Sequence, residues 1–306
     1  MSLAIISPGR NPKVWIDALR HHQPDIDIQV YPDIQRPKDV EMALVWQHPP
    51  GYLSSFPNLK LISSLGAGVD HILSDPAVPE NMPIVRIVDE KLTWSMTNYV
   101  IMGVLNFHRQ ITRYQADQKR KVWDMSHPEV PVKVGVMGVG ALGGDVLDKL
   151  NYMGFEVFGF GFSEKSDFPY PYFSKNQLGE FLSQINVLVC LLPLTPETEG
   201  ILNLDLFKKC TKGTYLINVA RGKHLVEEDL IPALDQGYLS GALLDVYRVE
   251  PLPQEHPFWE ESRIQLTPHI ASVTNPLAAS PQIIDNFNRL KTNRPLQNLV
   301  NRERGY

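Results

Sequence analysis

The run Val132-Lys133-Val134-Gly135-Val136-Met137 leads without a break into Gly138-Val139-Gly140-Ala141-Leu142-Gly143, and no other stretch restricts the possible folds of this chain as much. An apolar segment of strand length meets three glycines spaced G-x-G-x-x-G. Val146, Leu147 and Leu150 then recur at helical intervals up to Gly154. Glycines so spaced allow a tight turn, close approach of the backbone to a pyrophosphate, and close packing of the helix on the strand. The helix N-terminus adds a partial positive charge where the phosphates would lie. The pattern therefore predicts a parallel α/β sheet with a dinucleotide held by Gly138, Gly140, Ala141, Leu142 and Gly143.

The rest of the chain extends this reading. Before the glycine turn come LAIIS, IDIQVY, EMALVW, LKLISSLGAG and MPIVRIV; after it come EVFGFG, NVLVCLL, TYLINVA, GALLDV and IQLTPHI. These runs are spaced to leave room for a crossover helix between strands, which predicts two parallel sheets. With 306 residues, 43% of them hydrophobic, the chain can build two cores. Residues 93–120 carry Tyr99, Val100, Gly103, Val104, Phe107 and Ile111 at helical spacing and read as one long connector helix, followed by a loop around Trp123, which reads as a loop anchor. The tail beyond Pro276 returns to helical spacing through Ile283, Ile284, Phe287 and Leu290 and can pack back on the first layer. The expected division is a discontinuous domain of residues 1–98 and 273–306 and a dinucleotide-binding domain of residues 99–272.

Composition removes several classes of function. A net charge of -5 without clustered Lys and Arg argues against nucleic acid as a partner. Only Cys190 and Cys210 occur, in settings that suit reduced thiols and offer no metal-ligand spacing, so no metal is expected. Neither a leader-like start nor a membrane-spanning run is visible, and a cytoplasmic protein is expected.

Three charged residues fall at strand ends of the second series: Arg221 in LINVARG, Glu250 in DVYRVEP and His269 in LTPHIAS. A histidine can shuttle a proton, a glutamate can set its tautomer and raise its pKa, and an arginine can pair with a carboxylate. The end of EVFGFG is equally informative. An NAD site ordinarily carries an acid there to grip the ribose, whereas this chain continues Gly161-Phe162-Ser163-Glu164-Lys165. Without that acid a 2′-phosphate is not repelled, and Ser163 and Lys165 can meet it. NADP(H) is the expected cofactor, with NAD(H) possible.

The motifs SLGAGVDHIL, GVMGVGALG, LLPLTPETEGILN, LINVARGKHLVEEDL, GALLDVYRVEPLP, LTPHIAS and the closing RGY resemble the D-2-hydroxyacid dehydrogenase family over nearly the whole chain. The resemblance implies a Rossmann-type cofactor domain and a flavodoxin-like substrate domain, both doubly wound, with a cleft between them. It also implies reduction of a small 2-keto acid such as glyoxylate or hydroxypyruvate, and a homodimer. Carried over by position, Arg221 holds the substrate, His269 is the general acid and Glu250 is its partner. Leu65, Gly66, Ala67 and Gly68 offer amides to the substrate carboxylate, and Trp46 limits substrate size. Leu192, Pro193, Thr198, Val219, Ala220 and Asp245 line the cofactor. A dehydrogenase for another 2-hydroxy acid, or a dinucleotide sensor without catalysis, stays open at this stage.

Overall fold

The computed structural model describes residues 2–302 and 305; Arg304 and Tyr306 of the closing RGY motif lie outside the described residues. The chain forms two compact units, one running to Leu92 and resuming at Val273, the other spanning Thr93–Ser272.

The first unit holds β1 (Ser2–Ile6), β2 (Ile28–Val30), β3 (Val40–Val45), β4 (Leu61–Ser64) and β5 (Ile84–Val85), all parallel, in the order β2-β1-β3-β4-β5. This is the flavodoxin-like order, and its direction reverses between β1 and β3. The carboxyl end of β3 delivers Trp46, and the loop after β1 delivers Arg10. The tail does return here. Helix Pro276–Lys291 closes the unit, with Gln282 donating to the Arg86 carbonyl at 2.7 Å and the Val300 amide donating to Ile84 at 2.8 Å. Asn275 starts that helix by accepting from the Leu277 and Ala278 amides, the usual role of an asparagine before a first-turn proline.

The second unit holds β6 (Lys133–Met137), β7 (Glu156–Phe160), β8 (Tyr172–Phe173), β9 (Val187–Cys190), β10 (Thr214–Asn218), β11 (Leu239–Leu244) and β12 (Ile264–Leu266), in the order β12-β11-β10-β9-β6-β7-β8. It is the Rossmann order with one strand added at the β12 edge. VLVC and TYLIN are buried at every position because helices cover both faces of a parallel sheet. Alternation still sorts the side chains of β6. Val134 and Val136 face one core, while Gly135 faces the other, where an added Cβ would meet Phe181 and Ile185 at 2.6 Å. That glycine lets the Phe181 ring lie on the sheet.

Three features depart from the sequence reading. The connector is two helices, Glu90–His108 and Ile111–Arg120, because Gln110 between them adopts a left-handed backbone (φ 54°) and its side chain donates to the His127 carbonyl. Trp123 is no anchor among the described residues, being 91% exposed beside exposed Val122 and Met125. The short edge strand β8 comes from PYPYF, where two prolines mask any strand pattern. Among the described residues no helix is long and apolar enough to cross a membrane. Cys190 and Cys210 are free and buried, and burial pushes each thiol up to about 12, which leaves little thiolate for redox chemistry.

Candidate active site

The glycine turn follows β6 at the point where the strand order reverses, the usual place for a ligand in an open α/β sheet. Gly138 has φ 100°, and an added Cβ would meet the Leu191 carbonyl oxygen at 2.5 Å. Gly143 faces the Gly138 carbonyl more closely still, so helix Ala141–Tyr152 sits hard against the strand end. Gly140 differs from both: nothing lies within 4 Å of where its Cβ would be. Open space above an exposed glycine, at the uncapped start of a twelve-residue helix, is what a pyrophosphate requires. The turn therefore fits a dinucleotide.

Leu192, Val219 and Ala220 are buried beside this turn, at the ends of β9 and β10, with Pro193 half-buried. Thr198, although expected to line the cofactor, spends its hydroxyl on its own loop. It donates to the Pro193 carbonyl at 2.6 Å and accepts from the Thr195 amide at 2.8 Å. Beyond β7, Ser163 is exposed, and the Lys165 ammonium reaches back to the Val139 carbonyl at 2.8 Å, with the Phe168 ring 5.0 Å away.

Glu250 and His269 meet directly, with the carboxylate accepting from His269 Nδ1 at 2.8 Å. Burial would raise the Glu250 carboxyl, but the hydrogen bonds from His269 and from the Tyr247 amide, with the charges of His269 and Arg221, hold it below the ordinary 4.5. A carboxylate depressed in this way contributes stability above the unfolded value, and that contribution is lost as pH falls through the depressed one. The loop bearing Glu250 is clamped by Arg248, whose guanidinium forks onto Glu228 at 2.7 and 2.8 Å. Arg221 stands in extended conformation just after β10, with one guanidinium nitrogen on the Ala220 carbonyl at 2.8 Å. Gly222 beside it presses on the Tyr247 backbone so closely that no side chain fits there.

His269 has φ 55°, a backbone state that a residue other than glycine adopts only where its surroundings enforce it. Asp245 enforces it. Its buried carboxylate accepts from Thr267 Oγ1 at 2.6 Å and from the Ile270 and Ala271 amides, each at 2.8 Å. Tyr99 closes the network through a short hydrogen bond to Thr267, and burial raises its phenol. Asp245, expected from the sequence to line the cofactor, also braces the histidine turn. Replacing it with alanine should strand three buried or half-buried donors, lower stability by about 3 kcal/mol and reduce kcat; urea unfolding and steady-state rates check both.

One residue of the site escaped sequence reasoning. His224 is fully buried, with Nδ1 3.1 Å from the Arg221 carbonyl and Nε2 3.2 Å from the Pro193 carbonyl. It ties the arginine strand end to the loop after β9. Its only signal in the sequence is a histidine ahead of the apolar pair Leu225-Val226.

In the first unit, Trp46 is half-buried, with the Arg10 guanidinium 4.4 Å above its ring and Gly66 beneath, where a Cβ would meet the indole at 2.7 Å. The Leu65 amide is taken by Val45 and that of Gly66 by Ser64 Oγ. The amides of Ala67 and Gly68 have no hydrogen-bond partner among the described residues.

A turn shaped for a dinucleotide and a carboxylate-held imidazole, both at strand ends of one sheet, supply the two things needed to move a hydride and a proton together. The second unit is that of a nicotinamide-dependent oxidoreductase. Residues 101–271 match the family described as D-isomer specific 2-hydroxyacid dehydrogenase, NAD binding domain. Over the full length of both chains, the protein is 38% identical to glyoxylate/hydroxypyruvate reductase A of Serratia proteamaculans. Among solved structures it is similar to a D-isomer specific 2-hydroxyacid dehydrogenase of Xanthobacter autotrophicus in complex with NADPH and MES (35% identity, TM-score 0.94, 100% and 99% of the two chains). A second is the NADPH-dependent glyoxylate/hydroxypyruvate reductase of Sinorhizobium meliloti in complex with NADP and sulfate (36% identity, TM-score 0.92, both chains fully covered). The chain belongs to the D-isomer specific 2-hydroxyacid dehydrogenase family.

Proposed function

We propose that this protein reduces glyoxylate and hydroxypyruvate to their 2-hydroxy acids with NADPH. The observation that carries the reading is the 2.8 Å His269–Glu250 hydrogen bond with the charge of Arg221 acting on the same carboxylate, on a sheet whose Gly140 is open to a pyrophosphate. Full-length similarity to reductases named for these two substrates supports the choice of substrate.

NADPH, when bound, supplies the hydride. Arg221 pairs with the substrate carboxylate and polarises the keto oxygen, so charge growing in the transition state meets a fixed cation. Glu250 holds Nδ1 of His269, which makes Nε2 the nitrogen that hands a proton to the developing alkoxide. The turn from Gly138 to Gly143 takes the pyrophosphate, and Leu192, Pro193, Val219 and Ala220 border the nicotinamide half. Ser163 and Lys165 meet the 2′-phosphate. Thr198 and Asp245 line the cofactor and also brace the loops that border it. Trp46 and the amides of Leu65 to Gly68 select a small substrate by size and carboxylate, with Ala67 and Gly68 the available donors. A homodimer follows from the same reading, since Val122, Trp123 and Met125 leave apolar surface for a second copy to cover. The reduced thiols suit the cytoplasm.

The test follows nicotinamide absorbance with glyoxylate, hydroxypyruvate, pyruvate and a branched 2-keto acid, each with NADPH and NADH. The highest kcat/KM is expected for glyoxylate or hydroxypyruvate with NADPH. Preference for the branched acid, or for NADH, would overturn the assignment.

A further inference from the structure

The glycine at the end of β7 has a structural cause as well as a consequence for the cofactor. An ideal Cβ on Gly161 would stand 2.5 Å from the Tyr172 hydroxyl oxygen, so no side chain, acidic or otherwise, fits at this position while Tyr172 holds its place. Strand β8 sets that place by pairing Tyr172 with Gly159 and Phe173 with Phe160 in parallel register. The Tyr172 ring lies 5.4 Å from Phe168, centroid to centroid, and its hydroxyl donates a short hydrogen bond to the Ser163 carbonyl. Phe168 in turn lies beneath the ammonium of Lys165, which bonds to the glycine turn through Val139. One phenol therefore fills the space of the missing acid and fixes the loop that carries the cation.

Resting on the NADPH reading above, we propose that Tyr172 determines cofactor specificity. It keeps a carboxylate out of position 161 and holds the loop from Phe162 to Lys165 against the glycine turn, so that the site accepts a 2′-phosphate and gives up the carboxylate grip on a bare ribose. An acid in that position would repel a group bearing nearly two negative charges. A neutral phenol does not. Specificity is then coupled across two positions: an acid at position 161 has to displace the Tyr172 hydroxyl from its place.

Calorimetric titration with 2′,5′-ADP and with 5′-ADP reads the adenosine half of the site without turnover. Wild type should bind 2′,5′-ADP more tightly. Tyr172→Phe keeps the ring and loses the tie to Ser163, and should weaken 2′,5′-ADP about five- to tenfold with a smaller change for 5′-ADP. Gly161→Asp alone should lower the thermal midpoint, whereas Gly161→Asp combined with Tyr172→Ala should recover it and reverse the preference between the probes. Lys165→Ala should weaken 2′,5′-ADP only. A double variant that keeps the wild-type preference, or a Gly161→Asp protein as stable as wild type and already reversed, would overturn the role of Tyr172 alone. If wild type binds neither probe, the cofactor reading falls and this one with it.

Discussion

Exchange of His269 for alanine is expected to lower kcat for glyoxylate reduction by about three orders of magnitude while leaving NADPH affinity close to wild type. Three orders correspond to about 4 kcal/mol of barrier. The split follows from position. His269 lies on the loop after β12 with Nδ1 committed to Glu250, whereas the pyrophosphate turn follows β6, with three strands between the two in the sheet. The imidazole therefore matters for the proton and little for the dinucleotide. Steady-state kinetics with a separate NADPH titration checks both halves. A wild-type rate would remove His269 as the donor, and a parallel loss of NADPH binding would mean that the substitution had disturbed the fold.

Arg221 should fail differently. Arg221→Ala is expected to raise KM for glyoxylate and lower kcat together, reducing kcat/KM on the order of a thousandfold or more, because one guanidinium both pairs with the carboxylate and faces the charge that grows on the keto oxygen. Lysine should restore little of this, since a point charge cannot replace the planar fork. The close approach of Gly222 to Tyr247 fixes the backbone just after Arg221. A variant that changed KM alone would make Arg221 a binding group without a part in the chemical step.

Much of this molecule was readable before any coordinates. The strand, glycine turn and helix at residues 132–154 are a local pattern, and local sterics suffice to interpret it. The five early apolar runs and the six later ones all became parallel strands, because buried parallel strands need continuous apolar segments whatever surrounds them. The tail beyond Pro276 also lies where its spacing suggested. Harder to read were residues whose partners are distant in sequence. Asp245 looks like a plain strand-end acid, with no hint that Thr267, Ile270 and Ala271 all donate to it. Thr198 gives no hint in the sequence that its hydroxyl turns to Pro193. His224 gives no hint of the two carbonyls it faces, and Gln110 none of the bend that divides the connector helix.

Order and period along the chain determined the two parallel sheets, the phosphate turn and the candidate residues Arg221, Glu250 and His269, since glycine sterics and side-chain alternation act between near neighbours. Only the tertiary structure decided which polar atoms are engaged in holding loops, because their hydrogen-bond partners come from remote strands. Gly161 belongs to both. Its identity is written in the sequence, but its cause, the hydroxyl of Tyr172, is eleven residues away and is brought to it by an edge strand two residues long.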